Sequence, residues 1–561
     1  MKLIWIQLKP LQCYVAYIKL HTIRKQVLLH LIKLAYLYSF CLPRTTRQVL
    51  HEELNARAMG NNHYLYPKRV VIINFLMQIW FRQQDISNEN RPNFVNASDR
   101  SDIFFRRVRL RFGGSVNPWF KFNFVLRDND FGRDPYDAPF GGQPTHAKRQ
   151  SNRNTGTIHE LDAILVPSVM TDMKGITLDL HLGYPRVPLG REQFQRAYDN
   201  LDLDRTNATL RWTHLATGDV TGRAFGGYAH IRGSSKGQGY SKITVDGFLG
   251  LFGGFKNVKN PWDETVVAQP SATTPLCGYT APNAGVATCL SKARGNSSNS
   301  PLITFRGTVS FGDPEGRPAI YNWLYRDTYL GKRKGITVGV SYAFQNKIDQ
   351  HIITDTQGIS PGFLGNGTPQ NGAGTVNLRI PYLLLPNPLS APNSALANTL
   401  LDNKVDMKFY GVDFAWHHGP ISFVAELGQV KFDKLVLTDG ANNVYPNRSI
   451  KNDFWLVKAG YMINLQSKHK FEPYISYSEY KPQIVKVGSG NDTRFYGDAT
   501  NFVGANNSPT SYLGKIKQLG VGVNYYYINE NFRWTLEYTK LDEGNVKIKN
   551  DAITLQFQWI F

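Results

Sequence analysis

The feature that most constrains this chain is a period of two that recurs about sixteen times. From Lys68 to Phe561, stretches of about 10–14 residues alternate apolar and polar side chains, the signature of strands with one greasy and one wet face. In FFRRVRLRFGG, Phe104, Val108, Leu110 and Phe112 share one parity, with Arg106 as the exception, and Arg107, Arg109 and Arg111 share the other. In PWFKFNFVLRDND, Phe120, Phe122, Phe124 and Leu126 oppose Lys121, Asn123 and Arg127. ITLDLHLGY sets Ile176, Leu178, Leu180, Leu182 and Tyr184 against Thr177, Asp179, His181 and Gly183, and ITLQFQWIF ends the chain in the same way.

One alternating strand also fits a half-buried soluble sheet, so the number of segments matters more than any single one. The pattern places strands near 69–83, 102–112, 118–128, 158–167, 175–185, 221–232, 243–254, 302–312, 335–345, 406–417, 420–433, 452–464, 469–482, 514–528, 531–541 and 551–561. Their connections are almost alternately short and long, as in an outer-membrane barrel with short periplasmic turns and long outer loops. The connection 313–334 breaks the rule, being long on the short side. The expected fold is therefore an all-β transmembrane antiparallel barrel of about 16 strands, with 18 as the alternative. Aromatic residues near strand ends (Tyr525, Tyr526, Tyr527, Trp534, Tyr538, Trp559) read as an interfacial girdle, and the terminal Phe561 as a feature of barrels handed to an assembly machinery.

Composition agrees. The 49 Gly, 29 Tyr, 32 Phe and 10 Trp, set beside 7 Met and a mean hydropathy of −0.33, favour strands and turns over helices. The longest uncharged apolar run, Val70 to Phe81, has 12 residues, too few for a membrane helix of about 18 or more. The formal charge is +21 and is spread along the chain, which points to anionic solutes or an anionic surface as partners and, in a barrel, away from nucleic acid. Residues 1–67 differ from the rest. A basic start followed by VLLHLIKLAYLYSFCL suggests a signal-like segment or a disordered N-terminal extension, with 68–561 forming the barrel. Of four cysteines only Cys277 and Cys289 lie close, a spacing that fits a loop disulfide in an oxidising compartment, and no histidine beside them suggests a metal site.

The segments FFRRVRLRFGGSVNPWFKFNFVLRDND, GITLDLHLGYPRVPLGREQF and LGVGVNYYYINENFRWTLEYTKL resemble the phosphate-selective porin O and P family. The resemblance rests on Arg106, Arg107 and Arg109; on Gly183, Arg186 to Gln193; and on Gly522 to Tyr526. It implies a 16-stranded porin, a homotrimer, with loops folded into the lumen. Members of that family differ in what they pass, so the solute stays open.

For a pore the chemistry is selectivity, set by diameter and by the charges at the narrowest point. A lumen of about 16 strands is wide, so a loop must narrow it. The candidate is 186–220, carrying Arg186, Arg191, Arg196, Arg205 and Arg211 with Asp199, Asp202, Asp204 and Asp219. Facing it, the wet parity of the second and third strands offers Arg107, Arg109, Arg111, Lys121 and Arg127. Guanidinium groups stay charged and fork onto carboxylate, phosphate or sulfate, so a cationic lumen favours anions, unless each arginine is spent on a neighbouring Asp or Glu. His181 and His230 share the wet parity, where solvated wall histidines are the common case.

No catalytic residue, metal or cofactor is expected. GSSKG from Gly233 and GISPG from Gly358 lack the strand-to-helix elbow of a hydrolase, GFLGLFGGF alternates as a strand does, and Asp128-Asn129-Asp130 reads as a solvated turn. The expected function is passive diffusion of small hydrophilic solutes with an anion, phosphate-like preference across an outer membrane. The competing readings are a structural or adhesive barrel with a plugged lumen and a soluble carbohydrate-binding sandwich.

Overall fold

The computed structural model describes residues 70–86, 100–131, 157–255 except 172–174, 197 and 219–221, then 300–316, 325–353, 383–386, 396, 399–400, 403–466, 469–498, 514–527, 530–543 and 548–560. The loop cysteines Cys277 and Cys289, the segment 1–67 and Phe561 lie outside them.

Sixteen strands run β1 Val70–Ile86, β2 Arg100–Asn117, β3 Phe120–Phe131, β4 Thr157–Leu165, β5 Ile176–Tyr184, β6 Gly226–Ser234, β7 Ile243–Phe252, β8 Leu302–Gly312, β9 Lys334–Asp349, β10 Lys404–His418, β11 Ile421–Thr438, β12 Val444–Tyr461 continued by Ile463–Gln466, β13 His469–Pro482, β14 Ile516–Tyr527, β15 Phe532–Glu543 and β16 Ile548–Ile560. Each pairs antiparallel with its sequence neighbours, and β16 pairs with β1 from Leu76↔Ile560 to Ile86↔Asn550, so the sheet closes without an edge. Inside the seam a ladder of side chains repeats the closure: Gln78 Nε2 donates to Gln558 Oε1 (2.7 Å), Trp80 Nε1 to Gln556 Oε1 (2.7 Å) and Arg82 Nε to Thr554 Oγ1 (3.1 Å).

The two parities part as the sequence demands. Outward positions are exposed and apolar, among them Ile73, Leu182, Leu249, Val412, Leu427, Ile475, Val521, Leu536 and Ile553, while inward positions on the same strands are buried and polar. Among the described residues no helix is long and apolar enough to cross a membrane. A closed barrel greasy outside and polar inside is the arrangement that satisfies every backbone group in lipid, and the protein is an outer-membrane β-barrel.

Three details depart from simple alternation. Between Gln78↔Arg107 and Ile79↔Phe105, β2 carries Arg106 as an extra residue. This bulge reverses the parity beyond it, so Phe104 turns inward onto Trp80 (ring centroids 5.8 Å apart) instead of sharing the greasy face with Val108. Tyr526 is also inward and fully buried, donating to Glu472 Oε2 at 2.7 Å, and so does not belong to the outward aromatic girdle. On β10 to β12 the inward face is partly apolar: Phe409, Val430, Phe432 and Phe454 belong to the main buried cluster.

Candidate functional site

After Tyr184 the chain turns back into the barrel instead of outward. The neck of this re-entrant loop is closed by a backbone bridge between Arg186 and Arg223 and by Val187 N–H donating to Gly222 O at 2.9 Å. Within it, helix α1 (Asn207–Thr217) is started by Thr206, whose side chain accepts from Thr209 N–H, and stopped by Gly218 at φ 75°, a left-handed value that glycine adopts freely. The apolar side of α1 explains the apolar inner wall: Trp212 stacks on Phe409 (4.7 Å) and Phe454 (5.1 Å). At Gly190 (φ 59°) the loop passes so close to the wall that a Cβ would stand 2.3 Å from Glu426 Oε1 and 2.8 Å from the Trp212 ring.

The long connection between β8 and β9 enters from the opposite mouth. Of its described parts, 313–316 and 325–333, the second crosses beneath the loop and is tied to the far wall: Thr328 Oγ1 donates to Glu472 Oε1 (2.7 Å), Lys470 Nζ to Leu330 O (2.9 Å), and Arg326 pairs with Glu530 (3.0 Å). Loop and crossing segment interlock through buried charges. Arg191 pairs with Glu315 (2.8 Å), which also holds Arg333 (3.2 Å). These two guanidinium groups, working against burial, keep the Glu315 carboxyl at about 2. Lys458 of β12 stands fully buried among Glu192 (2.5 Å), Asp202 (2.8 Å) and Asp327 (3.0 Å). Burial, reinforced by the neighbouring carboxylates, pushes the Asp202 carboxyl well above its usual range despite that lysine.

What remains cationic lies between the loop and β2 to β4. Arg109 and Arg127 are direct cross-strand partners on the inner face, which sets two like charges side by side. Arg109 is 6% exposed, its Nε has no hydrogen-bond partner, and its charged neighbours are Arg107, Arg223 and Arg127. Arg107 is bonded to Gln78 Oε1 (2.7 Å) and shares Asp204 with Arg106, whose Nη2 is 2.6 Å from the carboxylate. Burial alone would raise Asp204; the two arginines instead hold it at about 2. Arg111 donates to Asn123 Oδ1 (2.6 Å), and Lys121 stands half-buried on β3. His159, the extra residue at a second bulge opposite Val125/Leu126, is buried with neither ring nitrogen bonded.

The loop arginines divide by role. Arg186 donates to the carbonyls of Gln193 (2.6 Å) and Gln195 (2.7 Å), Arg191 to that of Arg326 (2.9 Å), Arg196 pairs with Asp199, and Arg211 donates to Asn207 Oδ1 (2.7 Å) beside the Tyr480 ring. These four shape the loop. Arg205 contributes its guanidinium to the carbonyls of Glu192, Gln193 and Gln195 but faces the basic group, and burial together with Arg223, Arg107 and Arg106 pushes it well below its usual range. Arg106, Arg223 and His159 are the members that alternation misses: a bulge displaces the first and third, and Arg223 lies just past the predicted loop. His181 and His230 are bonded to Asp162 (2.8 Å) and Asp246 (2.7 Å), and among the described residues no group of side chains is suited to hold a metal.

No family model matches the chain. Among solved structures it is similar to an anion-selective porin from Comamonas acidovorans (TM-score 0.42, 10% identity, 88% of this chain and 100% of that one). It is also similar to OmpF of Salmonella typhi in complex with daunomycin (0.40, 11%, 88% and 100%) and to the outer-membrane channel DcaP of Acinetobacter baumannii (0.39, 9%, 88% and 97%). In sequence it is 44% identical over 241 residues to an uncharacterised protein of Aquifex aeolicus (strain VF5), spanning 42% of this chain and 85% of the relative. A second such protein of the same organism is 53% identical over 146 residues, 25% of this chain and 87% of the relative. The chain belongs to the family of these two Aquifex aeolicus proteins.

Proposed function

We propose that the protein is a passive channel for small hydrophilic solutes that prefers anions, phosphate-like ones included. The observation that carries this reading is Arg109, which has no carboxylate within ion-pair distance among the described residues and stands beside Arg127 and Arg107 in the polar part of the lumen, where the nearby carboxylates Asp204 and Glu160 are held by Arg106, Arg107 and Arg223. Arg107, Arg109, Arg111, Lys121, Arg127 and Arg205 line the path in this reading; Arg186, Arg191, Arg196 and Arg211 hold the loop that narrows it. The path is eccentric, since α1 and its aromatic partners occupy the side toward β10 to β12. A homotrimer, and a leader or extension in residues 1–67, complete the proposal. Planar-bilayer recording in a salt gradient tests it: the reversal potential should report anion preference, and a cation-preferring value would refute it.

A second reading has its own support. Loop 185–225 is held to the β8–β9 connection by Arg191–Glu315 (2.8 Å), Arg326–Asp199 (3.6 Å) and Leu201 N–H donating to Asp327 (3.1 Å), as a structural barrel with a plugged lumen would require. Such a barrel would show no stepwise conductance at all.

A further inference from the structure

The outer face carries a second basic feature. On β10, Tyr410 and Trp416 bracket Val412 and Phe414; on β12, Trp455 and Tyr461 bracket Val457 and Ala459; on β15, Tyr538 and Phe532 bracket Leu536 and Trp534. In each the aromatic ends are six residues apart, about 20 Å of strand, which marks the hydrocarbon belt with its two girdles. Just beyond the girdle on the long-loop side, outward positions of six adjacent strands turn to lysine: Lys408, Lys431, Lys451, Lys481, Lys517 and Lys540.

The registers set the first three side by side. Lys408 opposes Lys431 and Lys431 opposes Lys451, a like-charge file across three strands. Asp433 offsets part of it, 2.6 Å from Lys431 and 3.6 Å from Lys408. Outward acids are interspersed in the row: Asp453 faces Lys481 across the strands, Glu479 and Asp542 face Lys517, and Asp551 faces Lys540; Glu479 also pairs with Lys515 (3.0 Å), Asp453 accepts from Gln429 (2.7 Å) and Asp551 from Tyr538 (2.6 Å). Among the described residues, Lys451, Lys481, Lys517 and Lys540 have no carboxylate within ion-pair distance, and all four are exposed. β11 and β12 continue past the row to Thr438 and Val444, so it stands at headgroup height and not at the tip of the barrel.

We propose that this lysine row binds phosphate-bearing headgroups of anionic lipids in the outer leaflet. The ammonium groups stand where a lipid phosphate lies once its acyl chains rest on the belt below, and the phosphates add counter-charge to the file Lys408, Lys431 and Lys451, which among the described residues has Asp433 alone within ion-pair distance. Each engaged lysine should favour an anionic over a zwitterionic lipid by about fivefold.

The test reconstitutes the full chain in phosphatidylcholine vesicles and compares, by electron paramagnetic resonance, how much spin-labelled phosphatidylglycerol and spin-labelled phosphatidylcholine it immobilises. Wild type should prefer phosphatidylglycerol at least fivefold in 0.1 M salt and approach no preference in 1 M salt, where the Debye length is about 3 Å. Joint replacement Lys431→Gln, Lys451→Gln, Lys481→Gln and Lys517→Gln should abolish the preference, whereas Arg109→Gln in the lumen should leave it intact. Equal immobilisation of both lipids by wild type, or a preference that survives the four replacements, would overturn the proposal. If the fourfold variant fails to insert, the salt dependence of the wild type decides.

Discussion

Arg109→Gln separates an electrostatic role from a structural one, because Arg109 holds no carboxylate that its loss would strand. A monovalent ion passing about 5 Å away feels roughly 0.8 kcal/mol from one unit charge at a dielectric of about 80. Screening with a Debye length of about 10 Å at 0.1 M salt reduces this to about 0.5 kcal/mol. Removing the charge should therefore lower anion occupancy about 2.3-fold and raise cation occupancy as much, a fall of about fivefold in the anion-to-cation permeability ratio. At 1 M salt the same estimate leaves less than a twofold change. Reversal potentials of both proteins in paired potassium chloride gradients, at low and high mean salt, give the ratio directly. Thermal unfolding should be no earlier in the variant, since it relieves the like-charge contact with Arg127. An unchanged ratio at low salt would place Arg109 away from the ion path, and a change that persists undiminished at 1 M would show that pore geometry, and not charge, had been altered.

Asp204→Asn, which removes the negative charge that Arg106 and Arg107 share, should shift the reversal potential further toward anions while leaving barrel assembly, read by gel mobility, in place. Asp204 and Glu315 have carboxyl groups depressed to about 2 in the folded chain, so their contribution is complete above their ordinary range near 4 and is lost as pH falls toward 2; each is worth on the order of 2–3 kcal/mol. Single-channel current noise should accordingly rise through that window as the internal segments loosen, and flat noise down to pH 2 would contradict the assignment. Lys458→Met would leave Glu192, Asp202 and Asp327 without their cation, at a cost of about 3–5 kcal/mol by chemical denaturation. Gly190→Ala should displace the loop from Glu426 and Trp212, seen as a changed unitary conductance.

The sixteen strands were legible because lipid outside and polar groups inside impose a period of two that no local propensity can hide, and each of the sixteen segments found its strand. Arg106 shows where that logic stops. Read by parity it sits on the greasy face, but an extra residue in β2 re-aims it at Asp204. Likewise the inward Phe409 and Phe454 are explained by Trp212, some 200 residues away, and the overlong 313–334 connection by its place across the lumen. Alternation reports which side of the wall a residue faces; it carries no information about what stands within.

The re-entrant loop also fixes an order of events in assembly. Its stretch from Leu201 to Leu203 touches Trp80 and Phe104 on one side of the β1–β16 seam and reaches Asn524 and Glu537 on the other. Those contacts cannot coexist until the last strand has met the first. The loop thus acts as an internal clasp: it can be buried only when the cylinder shuts, and its burial then holds shut the one pairing that joins the two ends of the strand sequence.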